Sequence, residues 1–156
     1  MSVHLRIATP DQSDALTALA FAAKAVWGYP RQQLDAWAES LRISPESISQ
    51  QPTYFIEVEN RVLAVAQLDT ASDPWAIECL WVHPQAINQG FGKRLVREAI
   101  AYARAHGQAR LAIDADPNAE PFYLHLGARR VGAISAPIPG LPERVRPQLV
   151  LLTEVR

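Results

Sequence analysis

Scarcity closes several routes at the outset. Cys79 is the only cysteine in 156 residues, so the chain can build neither an internal disulfide framework nor a thiolate metal site. The four histidines offer no metal-ligand spacing; His4, His106 and His125 read as surface or capping residues. Charge of one sign is missing too. Fifteen basic residues against sixteen acidic ones leave a formal net charge of −1, so there is no broad electrostatic footprint for nucleic acid or for an anionic membrane. No apolar run approaches the roughly 20 residues of a membrane-spanning helix. The opening MSVHLRIATPDQ lacks the apolar core of a signal peptide. A soluble, cytoplasmic protein without a bound metal is the expectation.

What is present is ordinary globular material, 49% apolar and 20% charged. No linker, repeat or low-complexity tract divides it, so residues 1–156 read as a single domain. Val3 to Ala8 reads as a strand. Thr9-Pro10-Asp11-Gln12 then reads as a helix start, with Thr9 as N-cap and Gln12 closing a capping box. Leu16, Leu19, Ala20 and Ala23 share one face of the helix that follows. Further helical stretches are expected over Gln32 to Leu41 and from Ser44-Pro45. Tyr54 to Glu59 and Val62 to Asp69 form a hairpin joined at Asn60-Arg61.

Ala76 to His83 is apolar on both faces, with Ile77, Cys79 and Trp81 on one and Leu80 and Val82 on the other. Such a strand is central, covered by helices on both sides. A helix carrying Leu95, Val96, Ala99, Ile100 and Ala103 follows and ends at Gly107. Arg110 to Asp114 is a strand, Asn118 to Leu126 a short helix capped by Asn118, Arg129 to Ile134 a strand. After the Pro-rich loop APIPGLPERVRP, a last strand runs from Gln148 to Thr153. The order βα(α)βββαβαββ makes one mixed α/β fold.

Between the central strand and its helix stands HPQAINQGFGKRLVREAI. A P-loop would need glycine at 87 and Ser or Thr at 94, where the chain has Ile87 and Arg94. A dinucleotide fingerprint would need a third glycine at Leu95. What is left is strand, Gly-Phe-Gly, helix. Backbone N–H groups at such a turn, the partial positive charge of the helix start and Lys93 or Arg94 can hold a pyrophosphate. A tight turn with a solvated basic pair accounts for the same residues.

Beyond the next strand comes DADPNAEPFYLHLGARRVG, with Phe122 and Tyr123 on a short helix that Gly127 closes. Asp114 and Asp116 read there as a strand end and an Asx turn. In order and spacing, strand, Gly-x-Gly, helix, strand and Phe-Tyr helix resemble the GNAT superfamily of N-acetyltransferases, clearly from Thr53 to Ile134. The resemblance implies a mostly antiparallel sheet flanked by helices, with two neighbouring strands, those ending at Val82 and at Asp114, splayed to hold acyl-CoA. Pantetheine amides would bond to the backbone at Trp81 and Val82, and the pyrophosphate would sit on Asn88, Gln89, Gly90, Phe91, Gly92 and Lys93. Asn118 and Phe122 would also line the coenzyme. Ile87 departs from the Arg or Gln with which the family begins this loop.

The resemblance implies acetyl-CoA as co-substrate and transfer of its acetyl group to an amine. The amine must be neutral to attack, the thioester oxygen needs a donor, and the leaving thiolate needs a proton. By resemblance Tyr123 supplies that proton; on its own it reads first as a ring packed with Phe122 at a helix end. Glu78 shares the strand face of Leu80 and Val82, where a charge needs a reason. The resemblance makes it the base, though a strand-start glutamate reaching solvent has the same appearance. His83 points to the other face, and the backbone N–H near Val82 is the oxyanion donor. The resemblance implies an acceptor site shaped by the first helices, with Trp27, Gly28, Tyr29 and Trp37, and by the late loop Pro137 to Pro147; the rings suggest an apolar or cation-receiving pocket, or core packing. A small-molecule amine is the expected acceptor. Peptide or protein N-acetylation and a non-catalytic acyl-CoA-binding regulatory module remain alternatives. The family's habit implies a homodimer.

Overall fold

The computed structural model describes residues 2–154. Strand β1 (Val3–Ile7) is followed by the expected capping box: the Thr9 N–H donates to Gln12 Oε1 at 2.8 Å. A 3₁₀ turn over Pro10–Gln12 then leads into α1 (Ser13–Ala25). Its Leu16, Leu19, Ala20 and Ala23 are all buried, as the helical spacing requires.

The single helix expected near residues 32–41 is two, α2 (Arg31–Ala36) and α3 (Ala38–Leu41). Trp37 parts them at φ −93°, ψ 5°, outside helical geometry, and its ring meets Tyr29 edge-on at 4.8 Å. Packing between the two rings thus overrides helix continuity. In α4 (Pro45–Gln50) the Ser44 hydroxyl caps the Ser47 N–H at 3.1 Å.

Strands β2 (Thr53–Val58) and β3 (Arg61–Asp69) turn at Glu59-Asn60, one residue earlier than expected. Both turn residues have positive φ, +51° and +64°, the geometry whose twist matches paired strands. Next come β4 (Ala76–Val82), α5 (Phe91–Ala105), β5 (Arg110–Asp114), α6 (Glu120–His125), β6 (Arg129–Ser135) and β7 (Val145–Leu152). The last strand starts three residues before the expected Gln148, because β6 pairs with it down to Ser135↔Val145.

The seven strands lie in the order β1-β2-β3-β4-β5-β7-β6. Every pair is antiparallel except β4–β5. That parallel pair holds only at Ala76↔Ala112 and Ile77↔Ile113, after which β4 continues without β5 beside it. The sheet is split there, in the place the resemblance implied. On one side α1 packs Leu16 and Leu19 on Phe55 and Val65. On the other, α5 packs Leu95 on Ile56 and Ala64, and Val96 and Ala99 on Leu111 and Ile113. Among the described residues no helix is long and apolar enough to cross a membrane.

One irregularity corrects the sequence reading. Gln67 pairs with Cys79 but Leu68 pairs with Ile77, so Glu78 is an extra residue in β4, a β-bulge. Alternation is reset there. Ile77 joins the α5-side core with Val96, while Cys79 and Trp81 pack on the α1 side. Glu78 does not follow Leu80 and Val82; it lines a cavity walled by Lys24, Trp37 and Trp81 on the α1 side.

Candidate active site

A row of adjoining cavities crosses the sheet at the split. The first, about 520 Å³, is walled by Val82, Ile87, Asn88, Gly90, Phe91, Gly92, Lys93 and Phe122. The two glycines serve different ends. Gly90 has φ +81° and a Cβ there would meet nothing within 4 Å, so its role is conformational: it turns the chain into α5 through the left-handed region. Gly92 is needed for space, since a Cβ would lie 3.1 Å from the Phe122 ring and 3.4 Å from Val82. The Arg94 N–H closes on the Gly90 carbonyl at 3.0 Å. The N–H groups of Phe91, Gly92 and Lys93, in the first turn before it, have no partner within the helix and carry its positive end. Those donors, the left-handed backbone at Asn88 (φ +68°) and Lys93 fit a pyrophosphate. Gln89 is exposed and outside the cavity wall, and Ile87 stands 47% exposed over it.

A second cavity of about 300 Å³ continues from Val82, Ile87, Asn88 and Phe122 to Trp27, Trp81, Asn118 and Tyr123. Asn118 does not cap α6. Its amide donates to Asp116 Oδ1 at 3.0 Å and to the Tyr29 hydroxyl at 3.2 Å, and Ala119 holds the cap position. Asp116, as read, forms an Asx turn with the Asn118 N–H at 2.8 Å.

Between β4 and β5 the channel narrows to about 70 Å³, with Tyr123, Cys79, Glu78 and Trp81 among its walls. Tyr123 is only 5% exposed, and among the described residues no protein group bonds to its hydroxyl. Burial pushes its pKa well above the usual phenol range, with Cys79 adding to the effect, so the hydroxyl keeps its proton. Burial and then the Glu78 charge push the Cys79 thiol up to about 12; it stays neutral and unreactive. Glu78 is exposed on its strand, and its carboxyl is shifted upward first by partial desolvation and then by Asp69 and Asp114. His83 spends its ring on the next turn, Nδ1 accepting the Gln85 N–H at 3.1 Å.

The far end opens into a cavity of about 340 Å³ lined by Lys24, Trp37, Glu78, Trp81, Asp114, Asp116, Arg144 and Arg146. Several of these residues escaped the sequence reading. The Lys24 ammonium donates to Asp116 Oδ2 and lies 4.6 to 5.8 Å from the ring centroids of Trp27, Tyr29, Trp37 and Trp81. The same carboxylate oxygen accepts from the Tyr29 hydroxyl at 2.9 Å and from Arg144 Nη2 at 3.3 Å. Arg144 also donates to the Ala136 carbonyl at 3.1 Å. Burial works to raise the Asp116 pKa, but Lys24, Asn118 and Tyr29 together outweigh it and hold the group below the usual carboxylate range. Burial lowers Lys24 despite the help of Asp116. The rings read as cation-receiving are therefore occupied by the chain's own Lys24. One local signal existed: Lys24 lies on the buried stripe of α1 with Leu16, Ala20 and Ala23. Nothing local announced Arg144.

The fold and the site together have one build: a mixed sheet split at its one parallel pair, a helix start facing the gap and a buried tyrosine in the throat. That is the acetyltransferase architecture the resemblance implied. The sequence matches the model of the acetyltransferase (GNAT) family over residues 15–128, and the chain belongs to that family. Solved structures agree on the fold. A GCN5-related N-acetyltransferase from Rhodopseudomonas palustris superposes with a TM-score of 0.78 at 22% identity, over 96% of this chain and 95% of the other. An N-acetyltransferase from Thermoplasma acidophilum, in complex with coenzyme A, gives 0.74 at 13%, over 96% and 98%. A ribosomal-protein alanine N-acetyltransferase from Escherichia coli gives 0.74 at 16%, over 99% and 96%. No curated protein matches the chain by sequence.

Proposed function

We propose that this acetyltransferase moves the acetyl group of acetyl-CoA to the primary amine of a small molecule in the cytoplasm. The observation that carries the reading is the channel past Tyr123: it joins a helix-start donor site at one end to Glu78, a carboxylate with no cationic partner among the described residues, at the other. The first turn of α5 and Lys93 hold the pyrophosphate, and the unpaired edge of β4 at Trp81 and Val82 offers its backbone to the pantetheine arm. The Thermoplasma relative, which contains coenzyme A, supports that assignment by fold alone.

In this reading Glu78 takes a proton from the acceptor ammonium, directly or through water, so that the nitrogen can attack. The N–H near Val82 stabilises charge on the carbonyl oxygen. Tyr123 gives its proton to the departing sulfur. The raised Tyr123 pKa keeps the acid loaded until a thiolate forms beside it. A small acceptor is favoured over a peptide because the far cavity offers only about 340 Å³, with Trp37, Trp81 and Arg144 in its wall.

The test is the thermal midpoint with acetyl-CoA, with NAD as comparator, followed by thiol release with an amine panel. At a hundredfold excess over Kd the coenzyme should stabilise the fold by about 2.7 kcal/mol, or about 5–10 °C at this size. A midpoint that does not move would sink the coenzyme assignment. Thiol release with long peptides but no small amine would replace the acceptor class.

A further inference from the structure

We infer that the acceptor is zwitterionic: beside its reacting amine it carries an anionic group, of the carboxylate type, that docks between Lys24 and Arg144. The inference rests on the transferase reading above and names the substrate class of the same site.

The charge pattern of the far cavity carries it. Arg146 is closed on Asp114 by two N–H donors, at 2.9 and 3.1 Å, and that pair is neutral. Deeper in, Asp116 is a single carboxylate shared by two cations, Lys24 and Arg144. Those side chains are only 11% and 6% exposed. One positive charge is thus in excess where water is scarce, and an unbalanced buried charge is costly. At the other end Glu78 has no cationic partner among the described residues. The cavity is therefore positive at its inner end and negative next to the throat.

Donor counting agrees. An ammonium has three N–H groups and a guanidinium five. Lys24 spends one on Asp116, and Arg144 spends three, on Tyr29, the Ala136 carbonyl and Asp116. Two donors on each remain for a ligand, enough to grip one carboxylate. The aromatic rings argue against the opposite polarity. With Lys24 already 4.6 Å from the Trp37 centroid and the Arg144 carbon 5.1 Å from it, a ligand cation there would meet two like charges. An acceptor with its ammonium at Glu78 and its carboxylate at Lys24 and Arg144 satisfies both ends. Transfer then balances: the N–C bond forms, the C–S bond breaks, and two protons leave the nitrogen. Glu78 takes the first from the ammonium before attack and passes it to solvent; the second leaves the nitrogen as the amide forms and makes good the proton that Tyr123 has given to sulfur.

The experiment compares matched acceptors sharing one amine: an amino acid, its primary amide and the decarboxylated amine, across α-, β- and γ-amino acids. Turnover is read by thiol release, and acetyl-CoA binding separately by thermal midpoint. The acid should exceed its amide in kcat/KM by about tenfold or more, the worth of one charge-assisted hydrogen bond. Lys24→Met should erase that preference through KM, Lys24→Arg should restore part of it, and the coenzyme's midpoint shift should persist in both. Equal use of acid and amide by the unaltered protein overturns the inference, even if the variants fail to fold. So does a preference that survives both Lys24→Met and Arg144→Gln. If acetyl-CoA raises the midpoint but no carboxylate-bearing amine is acetylated, the zwitterion is wrong and the coenzyme reading stands. If acetyl-CoA does not bind, both fall.

Discussion

Tyr123 and Glu78 sit on opposite elements of the throat, and each tests the mechanism separately. Replacing Tyr123 by Phe removes one hydroxyl from a buried ring to which no group among the described residues bonds. If that hydroxyl is the acid, kcat should fall by about 100-fold or more, while the Kd of acetyl-CoA stays within error; single-turnover thiol release reads the first and calorimetry the second. Undiminished kcat would make Tyr123 a packing residue. Glu78 must be ionised to accept a proton, and partial desolvation on an otherwise exposed side chain, with Asp69 and Asp114, raises its pKa. Activity should therefore fall on acidification at a pH above the ordinary carboxylate range, and Glu78→Gln should abolish that limb of the kcat/KM profile. A limb unchanged in the variant would assign the base to water alone.

The glycines belong to the scale of the element, since each fixes how α5 begins. Gly90→Ala forces an L side chain into the left-handed region and should cost about 1–2 kcal/mol, read as a lower thermal midpoint. Gly92→Val needs no backbone change but drives methyl groups into the Phe122 ring, whose nearest carbon is already 3.1 Å from a Cβ. The expected result is a weaker acetyl-CoA affinity with a smaller loss of midpoint than for Gly90→Ala. The reverse ranking would mean that Gly92 matters for folding and not for the shape of the coenzyme end. The bulge at Glu78 acts at this scale too, because one extra residue in β4 re-aims the side chain that the mechanism uses.

At the scale of the molecule, Asp116 ties α1, the Trp27–Tyr29 corner and the last loop into one knot through Lys24, Tyr29 and Arg144. Its pKa is depressed in the folded chain, so the unfolded chain binds the extra proton in the acid range. Stability from this group is then fully present above the unfolded carboxylate pKa and lost as pH falls through the folded one. Asp116→Asn should flatten the acid side of the midpoint-against-pH curve. It should also cost about 3 kcal/mol near neutrality by stranding two buried cations. An acid limb as steep as in the unaltered protein would show that other carboxylates govern it.

Much of this arrangement was readable along the chain. Short-range chemistry decides the elements: apolar periods of two and of 3.6 marked the strands and helices, Thr9-Pro10-Asp11-Gln12 started α1, and two glycines announced the turn into α5. The resemblance built on those motifs also pointed to the split between β4 and β5 and to the helix that carries Tyr123. Alternation missed the bulge, since an inserted residue looks like any other until a partner strand counts against it. Asn118 looked like a cap, yet its amide found Asp116 and Tyr29 instead. The inner end of the acceptor cavity was the least legible, because Lys24, Asp116 and Arg144 are far apart in the chain and each alone looks like a solvated charge. Only packing removes their water, and only then do two cations compete for one carboxylate. Local pattern decides which residues are helical or extended; long-range burial decides which charges must answer to one another.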